Sequence, residues 1–183
     1  KLTASLNRSE IRVTDIRYDR ESKEFRLKAG SEVINPKDIA IFTPRFAHLN
    51  KIFSLEAEAE GRMPQATLTS LTLQYGADTK IEISGKVSDY SNFNNSDLEA
   101  TIRQLSISQE DLQDFIRVGA IRYKSPIQLL NLGDLDLQVQ ARGKLRNFRY
   151  DVQVNTEQGP VSVSGIGQIS NGFKNLVFEG PVH

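Results

Sequence analysis

The sequence predicts a mainly β protein, a long and mostly antiparallel sheet interrupted once per repeat by a short helix. Three observations predict it. Apolar and polar residues alternate over most of the 183 residues, the mark of strands that bury one face. Polar or glycine-bearing clusters such as Asp19-Arg20-Glu21-Ser22-Lys23 and Gly76-Ala77-Asp78 cut the alternation into strand-length pieces. The middle of the chain is also written twice. Asn35-Pro36-Lys37-Asp38-Ile39-Ala40-Ile41-Phe42 aligns with Ser108-Gln109-Glu110-Asp111-Leu112-Gln113-Asp114-Phe115 at an offset of 108 − 35 = 73 residues. Leu55-Glu56-Ala57-Glu58-Ala59-Glu60-Gly61-Arg62-Met63 aligns with Leu137-Gln138-Val139-Gln140-Ala141-Arg142-Gly143-Lys144-Leu145 at an offset of 137 − 55 = 82. A further glycine follows 24 residues after Gly61 and after Gly143, at Gly85 and Gly167. A period this long implies stacked units in a longer array, each burying its apolar face against the next. Unit one covers about 25–87 and unit two about 98–169.

In chain order, Ile11 and Val13 share a face and Ile16 and Tyr18 resume out of phase. One extra residue near Thr14-Asp15, a bulge, accounts for the shift. Phe25, Leu27 and Ala29 follow. Asn35 is then an N-cap with Pro36 at the first helical position, where its missing donor is harmless. Asp38 sits where a carboxylate favours the positive end of a helix, and Ser108 with Asp111 repeats the device. Each helix should run about two turns, with Thr43-Pro44 stopping the first. Ile39 with Phe42, and Leu112 with Phe115 and Ile116, should form apolar stripes that dock on the sheet, since helices this short do not hold themselves together. Arg45 to Phe53 and Ile127 to Leu132 are either helical or irregular.

Leu55, Ala57 and Ala59 form an apolar row with Glu56, Glu58 and Glu60 opposite. Leu71, Leu73 and Tyr75 run into the Gly76 turn, and Ile81, Ile83, Gly85 and Val87 return. Leu98, Ala100 and Ile102 shift phase into Leu105 and Ile107. In the second copy Leu135, Leu137, Val139, Ala141 and Leu145 precede Phe148, Tyr150, Val152 and Val154. A turn at Glu157-Gln158-Gly159-Pro160 leads to Val161 and Val163, and a last strand carries Leu176 and Phe178. A sheet with one apolar face must cover it, by pairing with another sheet, closing as a barrel or curling around something else. No long helices exist to act as a lid. Ala57, Ala59, Ala100, Ala141 and several glycines leave room on that face, which favours a groove over a filled sandwich.

Composition narrows the function. Lys+Arg and Asp+Glu are both 23, so the formal net charge is zero. This weighs against nucleic acid and against a polybasic membrane binder. The absence of cysteine removes disulfide frameworks and thiolate metal sites, and it fits an oxidising compartment as well as any other. No apolar run is long enough to span a bilayer as a helix. The chain opens at Lys1 and closes at Glu179-Gly180-Pro181-Val182-His183 inside a recurring pattern, so it reads as a piece of a longer protein with its targeting signals elsewhere.

Catalytic signatures are missing. His48 and His183 are the two histidines and lie far apart, and no Gly-x-Ser-x-Gly elbow occurs. Gly165-Ile166-Gly167 does not continue into the dinucleotide fingerprint, so strand glycines at bends are the better reading. Glu56, Glu58 and Glu60 resemble a metal-binding row, but Gln138, Gln140 and Arg142 replace them in the second copy, which makes them a solvated face. Asp134-Leu135-Asp136 reads the same way. Arg142-Gly143-Lys144-Leu145-Arg146-Asn147-Phe148-Arg149-Tyr150 is the one place where cations interleave with aromatics. On a strand that spacing puts the charges on a polar outer face. The expectation is no enzyme, no cofactor and no metal, with the apolar rows as the functional candidate.

These residues resemble the periplasmic β-rich repeats of the AsmA-like and TamB superfamily, most closely the Bacteroidota versions. The resemblance rests on Asn35 to Pro44, Leu55-x-Ala57-x-Ala59-x-Gly61, and Leu71 to Gly76 with Ile83 to Val87. In the second copy it rests on Gly143-Lys144-Leu145, Asn155 to Val161 and Gly165-Ile166-Gly167. It covers roughly Phe25 to Gly180 and is a pattern of spacing and glycines, with no catalytic signature. It implies a U-shaped, taco-like β groove with a hydrophobic concave surface, anchored in full-length proteins at the inner membrane and reaching across the periplasm. The implied ligand is phospholipid or another acyl chain moving toward the outer membrane. An Omp85-type outer-membrane partner is implied for the TamB branch, and scaffolding of outer-membrane β strands is the rival role. A plain structural spacer is the third reading. The implied groove-lining residues are Leu55, Leu71, Leu73, Ile81, Ile83 and Val87, then Leu137, Val139, Val152, Val154, Val161 and Val163.

Overall fold

Eleven strands follow one another in a single sheet whose spatial order is the chain order. The computed structural model describes residues 2–6, 8–42, 44–92, 95–117, 133–144, 146–156, 159–170 and 175–179. The strands are β1 (Leu2–Leu6), β2 (Ser9–Tyr18), β3 (Glu24–Ile34), β4 (Phe53–Arg62), β5 (Gln65–Tyr75) and β6 (Thr79–Val87). They continue as β7 (Asp97–Ile107), β8 (Leu135–Lys144), β9 (Asn147–Thr156), β10 (Gly159–Ser170) and β11 (Asn175–Glu179). Every neighbouring pair is antiparallel. The protein is therefore mainly β, a curled, open meander with short helices. The range 25–87 contains β3 to β6 and 98–169 contains β7 to β10, each with a helix after its first strand.

The breaks in alternation are bulges. Between β2 and β3 the register slips at Val13/Asp15, beside Thr14. In β7 it slips between Ile102 and Leu105. Sequence reading missed two more, at Leu68/Leu71 in β5 and Ser31/Ile34 in β3. Each extra residue bends its strand and returns the next apolar side chain to the same face.

Both helices sit at the same end of the strands. α1 (Pro36–Ile39) follows β3 and α2 (Gln109–Arg117) follows β7. Asn35 caps α1 by accepting a hydrogen bond from the Lys37 amide at 3.0 Å, and the Ser108 hydroxyl accepts from the Asp111 amide at 3.3 Å. α1 is a single turn, shorter than the expected two, and a 3-10 segment (Pro44–His48) follows. The predicted stripe is corrected accordingly. Ile39 packs on the core, but Phe42 lies past the helix end and is 79% exposed. Phe46 of the 3-10 segment takes the place expected for it. Ile127 to Leu132 and Leu145 lie outside the described residues.

The core lies under these helices. Leu49, Phe53 and Tyr75 are buried, with Ile34, Ile39, Phe46, Leu73 and Phe115 against them. Phe46, Phe53, Tyr75 and Phe115 form a ladder with ring centroids 6.3, 4.7 and 5.0 Å apart. That ladder joins the helical segment of unit one to α2 of unit two, and tilted ring pairs of this kind contribute beyond their buried area.

Candidate functional site

The ladder register assembles the apolar face. One row runs Leu55, Leu73, Ile81, Leu105, Leu137, Val154 and Val161 across seven strands. The row beside it runs Ala57, Leu71, Ile83, Ile102, Val139, Val152 and Val163. Val87 belongs to a third row with Gly61, Ala66, Leu98, Gly143 and Phe148. All twelve residues named from the sequence thus lie on one face. The opposite face carries Glu56, Glu58, Thr72, Glu82, Gln138, Gln140 and Gln153. The acidic row is part of that outer face, and Glu58 is held by Arg26, whose guanidinium hydrogen bond keeps its carboxyl below the ordinary range.

Burial along this face is uneven. Where the strands meet the helices Phe53, Tyr75 and Ile107 are buried, and nearer the hairpin end Tyr150 is buried too. Leu55, Leu71, Leu73, Ile81, Ile83, Val87, Leu137, Val139, Val152, Val154 and Val163 are half-buried, while Val161 and Leu27 are exposed. No second layer covers them among the described residues. Eleven strands about 4.8 Å apart make this face roughly 48 Å long across the strands.

Shape at the far end of the strands depends on glycine. A Cβ at Gly61 would meet the Gln65 carbonyl at 2.3 Å, and one at Gly143 the Asn147 carbonyl at 2.8 Å. Gly143 also has φ +133, which L side chains rarely adopt. These are equivalent positions in the two units and let each hairpin wind closely on itself. The second glycine pair is not equivalent. Gly85 stands in the row of Ala59, Ala100 and Ala141, whereas Gly167 stands opposite Phe148. The β5 bulge and a longer turn place the same 24-residue spacing on different rows.

Two hollows open at the hairpin end. One of about 580 Å³ is lined by Tyr18, Phe25, Arg26, Gly61 and Arg62, and one of about 500 Å³ by Ala66, Lys86, Val87, Leu98, Arg142 and Gly143. A third, of about 430 Å³, is lined by Glu10, Arg12, Glu32, Glu56, Thr72 and Gln74 and is polar. Val87 alone of the twelve predicted residues borders one of these hollows. The rest line the wide, open face itself.

Sequence reading missed how the two helices are pinned. The Asp38 carboxylate, 5% exposed, accepts from the Ser9 hydroxyl at 2.6 Å and the Arg8 amide at 3.0 Å. The Asp111 carboxylate, fully buried, accepts from the Thr79 hydroxyl at 2.7 Å and Lys51 Nζ at 2.6 Å. Ser9 opens β2 and Thr79 opens β6, so each helix is tied to the hairpin turn two strands earlier. The signal was present as a hydroxyl residue at the start of each strand, but pairing it with an aspartate about 30 residues away needs the fold. The chain matches no family model, no curated protein and no solved structure.

Proposed function

We propose that this chain is a non-enzymatic segment of a cell-envelope bridge whose curled apolar face forms a trough for phospholipid acyl chains. The observation that carries the reading is the half-buried apolar face running across consecutive strands with no covering layer among the described residues. Acyl chains need a dry surface and no specific hydrogen bonds, each buried methylene contributing roughly 0.8 kcal/mol. Rows that repeat with little change offer similar affinity at each step, so a chain slides without a deep trap. Resemblance to the AsmA-like and TamB superfamily supports a periplasmic location, inner-membrane anchoring and outer-membrane biogenesis as the setting.

The test is native mass spectrometry with lipid extraction on the purified chain. Lipid should copurify with the wild type and be lost from Val139→Asp, with the circular dichroism spectrum retained. Wild-type protein free of acyl ligand, or unchanged occupancy in the variant, would overturn the reading. One observation favours a second role, assembly of outer-membrane β strands with an Omp85-type partner. Among the described residues β1 and β11 have one partner strand each, and an open edge can template a client strand. Photo-crosslinkers at Leu73 should capture lipid under the first reading, and crosslinkers on β11 should capture protein under the second.

A further inference from the structure

The two helices occupy equivalent places in the two units, but they are held differently. α2 is gripped from two sides. Asp111 Oδ2 accepts from the Thr79 hydroxyl at 2.7 Å, and Oδ1 accepts from Lys51 Nζ at 2.6 Å. Lys51 lies in the segment leading into β4, two strands before β6, so this contact spans the end of β5 and joins unit one to unit two. Beside it Phe115 stacks on Tyr75, and through Tyr75 on Phe53 and Phe46. α1 repeats only the first half of this arrangement. Asp38 Oδ2 accepts from both the Ser9 hydroxyl and the Arg8 amide, whereas Oδ1 has no donor among the described residues. Ile41 is 66% exposed and Phe42, which aligns with Phe115, is 79% exposed.

The contacts that α2 has and α1 lacks define what would supply them. β1, β2 and β3 stand to α1 as β5, β6 and β7 stand to α2. The counterpart of β4 is therefore a strand laid antiparallel on the open edge of β1 and entered from the helix end. Its lead-in would carry a lysine two residues ahead of an aromatic, as Lys51 stands to Phe53. A second copy placed head to tail does not fit. In an eleven-stranded antiparallel meander β11 runs in the direction of β1, so the two would meet parallel. Lys37 stands where α2 has Glu110, which lies 3.7 Å from Lys51. The incoming amine would thus meet one carboxylate instead of two.

We infer that α1, Ile41, Phe42 and the free edge of β1 form one docking surface for a further repeat unit of this type. Its lysine binds Asp38 Oδ1, its apolar lead-in covers Phe42, and its first strand extends the sheet. The inference goes beyond the trough reading and does not depend on what the trough carries. Two observations favour this occupant over an unrelated strand. The surface continues the Lys51–Asp111 junction already formed between units one and two. Asp38 is also 5% exposed with one oxygen engaged by neutral donors, and an amine complements the other. Edge pairing supplies general affinity, while the lysine and the rings select the partner and fix its register.

The probe is a synthetic peptide of Pro44 to Arg62, the chain's own lead-in and β4, titrated against the intact protein by fluorescence anisotropy. It should bind wild type and slow amide hydrogen exchange in β1 but not in β11. The same peptide carrying K51M should bind about tenfold more weakly. On the protein side, D38N and F42S should each weaken the unaltered peptide by about fivefold, with circular dichroism unchanged. A peptide that does not bind, or K51M and unaltered peptides that bind alike, would overturn the inference. The shorter peptide Phe53 to Arg62 should bind weakly. If it matched the longer one, β1 would be a general template for strands and the helix surface would have no part. Self-association of the chain alone, abolished by F42S, would name a second copy as the occupant and overturn the inference as well. Should D38N unfold, the K51M peptide decides on unaltered protein.

Discussion

The two ends of the strands are built from the same repeat yet are opposites. At the helix end, aromatic rings stack and two buried carboxylates tie each helix to an earlier hairpin. At the hairpin end, glycines let the backbone wind tightly, apolar side chains stay half-exposed and charge collects at the tips. The difference teaches where stability and where adaptability reside. Helices too short to stand alone are fixed by side-chain packing and buried hydrogen bonds. The opposite end relies less on either, because the antiparallel ladder already satisfies its backbone groups and Ser96 and Tyr150 are its buried side chains among the described residues.

The sharpest way to break this contrast is Tyr75→Ala. Tyr75 is 1% exposed, stacks on Phe53 and Phe115, and its hydroxyl accepts from the Lys51 amide at 3.3 Å. Its loss should cost about 4 kcal/mol in a urea unfolding curve. A cost under about 1 kcal/mol would deny the helix end its role as core. Asp111→Ala should come next, at about 3 kcal/mol, because it leaves the buried Thr79 hydroxyl without its acceptor and removes the partner of the part-exposed Lys51 amine. Asp38, which has no cation partner among the described residues, should cost about 2 kcal/mol as Asp38→Ala, and the ranking of the two is the informative result.

Leu71→Ala sharpens the comparison from the other side. Leu71 is only half-buried, so the loss should be about 1 kcal/mol, with a clear fall in copurifying lipid. A loss as large as that of Tyr75→Ala would mean the face is packed solid. The smallest effect is alkaline. The Asp111 hydrogen bond raises the Lys51 amine above the ordinary lysine range, with burial opposing it. A raised lysine stabilises the fold fully below its unfolded pKa and loses that contribution as pH climbs through the folded value. Unfolding curves at pH 8 and pH 11 should therefore converge for Lys51→Met more than for wild type.

Much of the fold could be read from period-two alternation. Ile102 followed by Leu105 announced a bulge, and Asn35-Pro36 announced a helix start. Strand register was legible through the same logic, because a one-residue slip would turn Val139 or Leu73 outward. What failed depended on contacts distant in sequence. Phe42 keeps the spacing of a helical stripe, but nothing local says that α1 ends at Ile39. Gly85 and Gly167 share a spacing, but a bulge in β5 moves one of them to another row. The cations from Arg142 to Arg149 read as a solvated outer face, and the register keeps Arg142 and Arg149 there, although their direct pairing across β8 and β9 could not be read without it.

A meander in which each strand is hydrogen-bonded only to the strands before and after it has a practical consequence. Adding another four-strand block at an edge would leave every existing hydrogen-bond ladder undisturbed and lengthen the sheet by roughly 19 Å, four spacings of about 4.8 Å. Reach would then be set by counting modules, and a gap between two surfaces could be matched in evolution by duplication alone, with no new joint to invent.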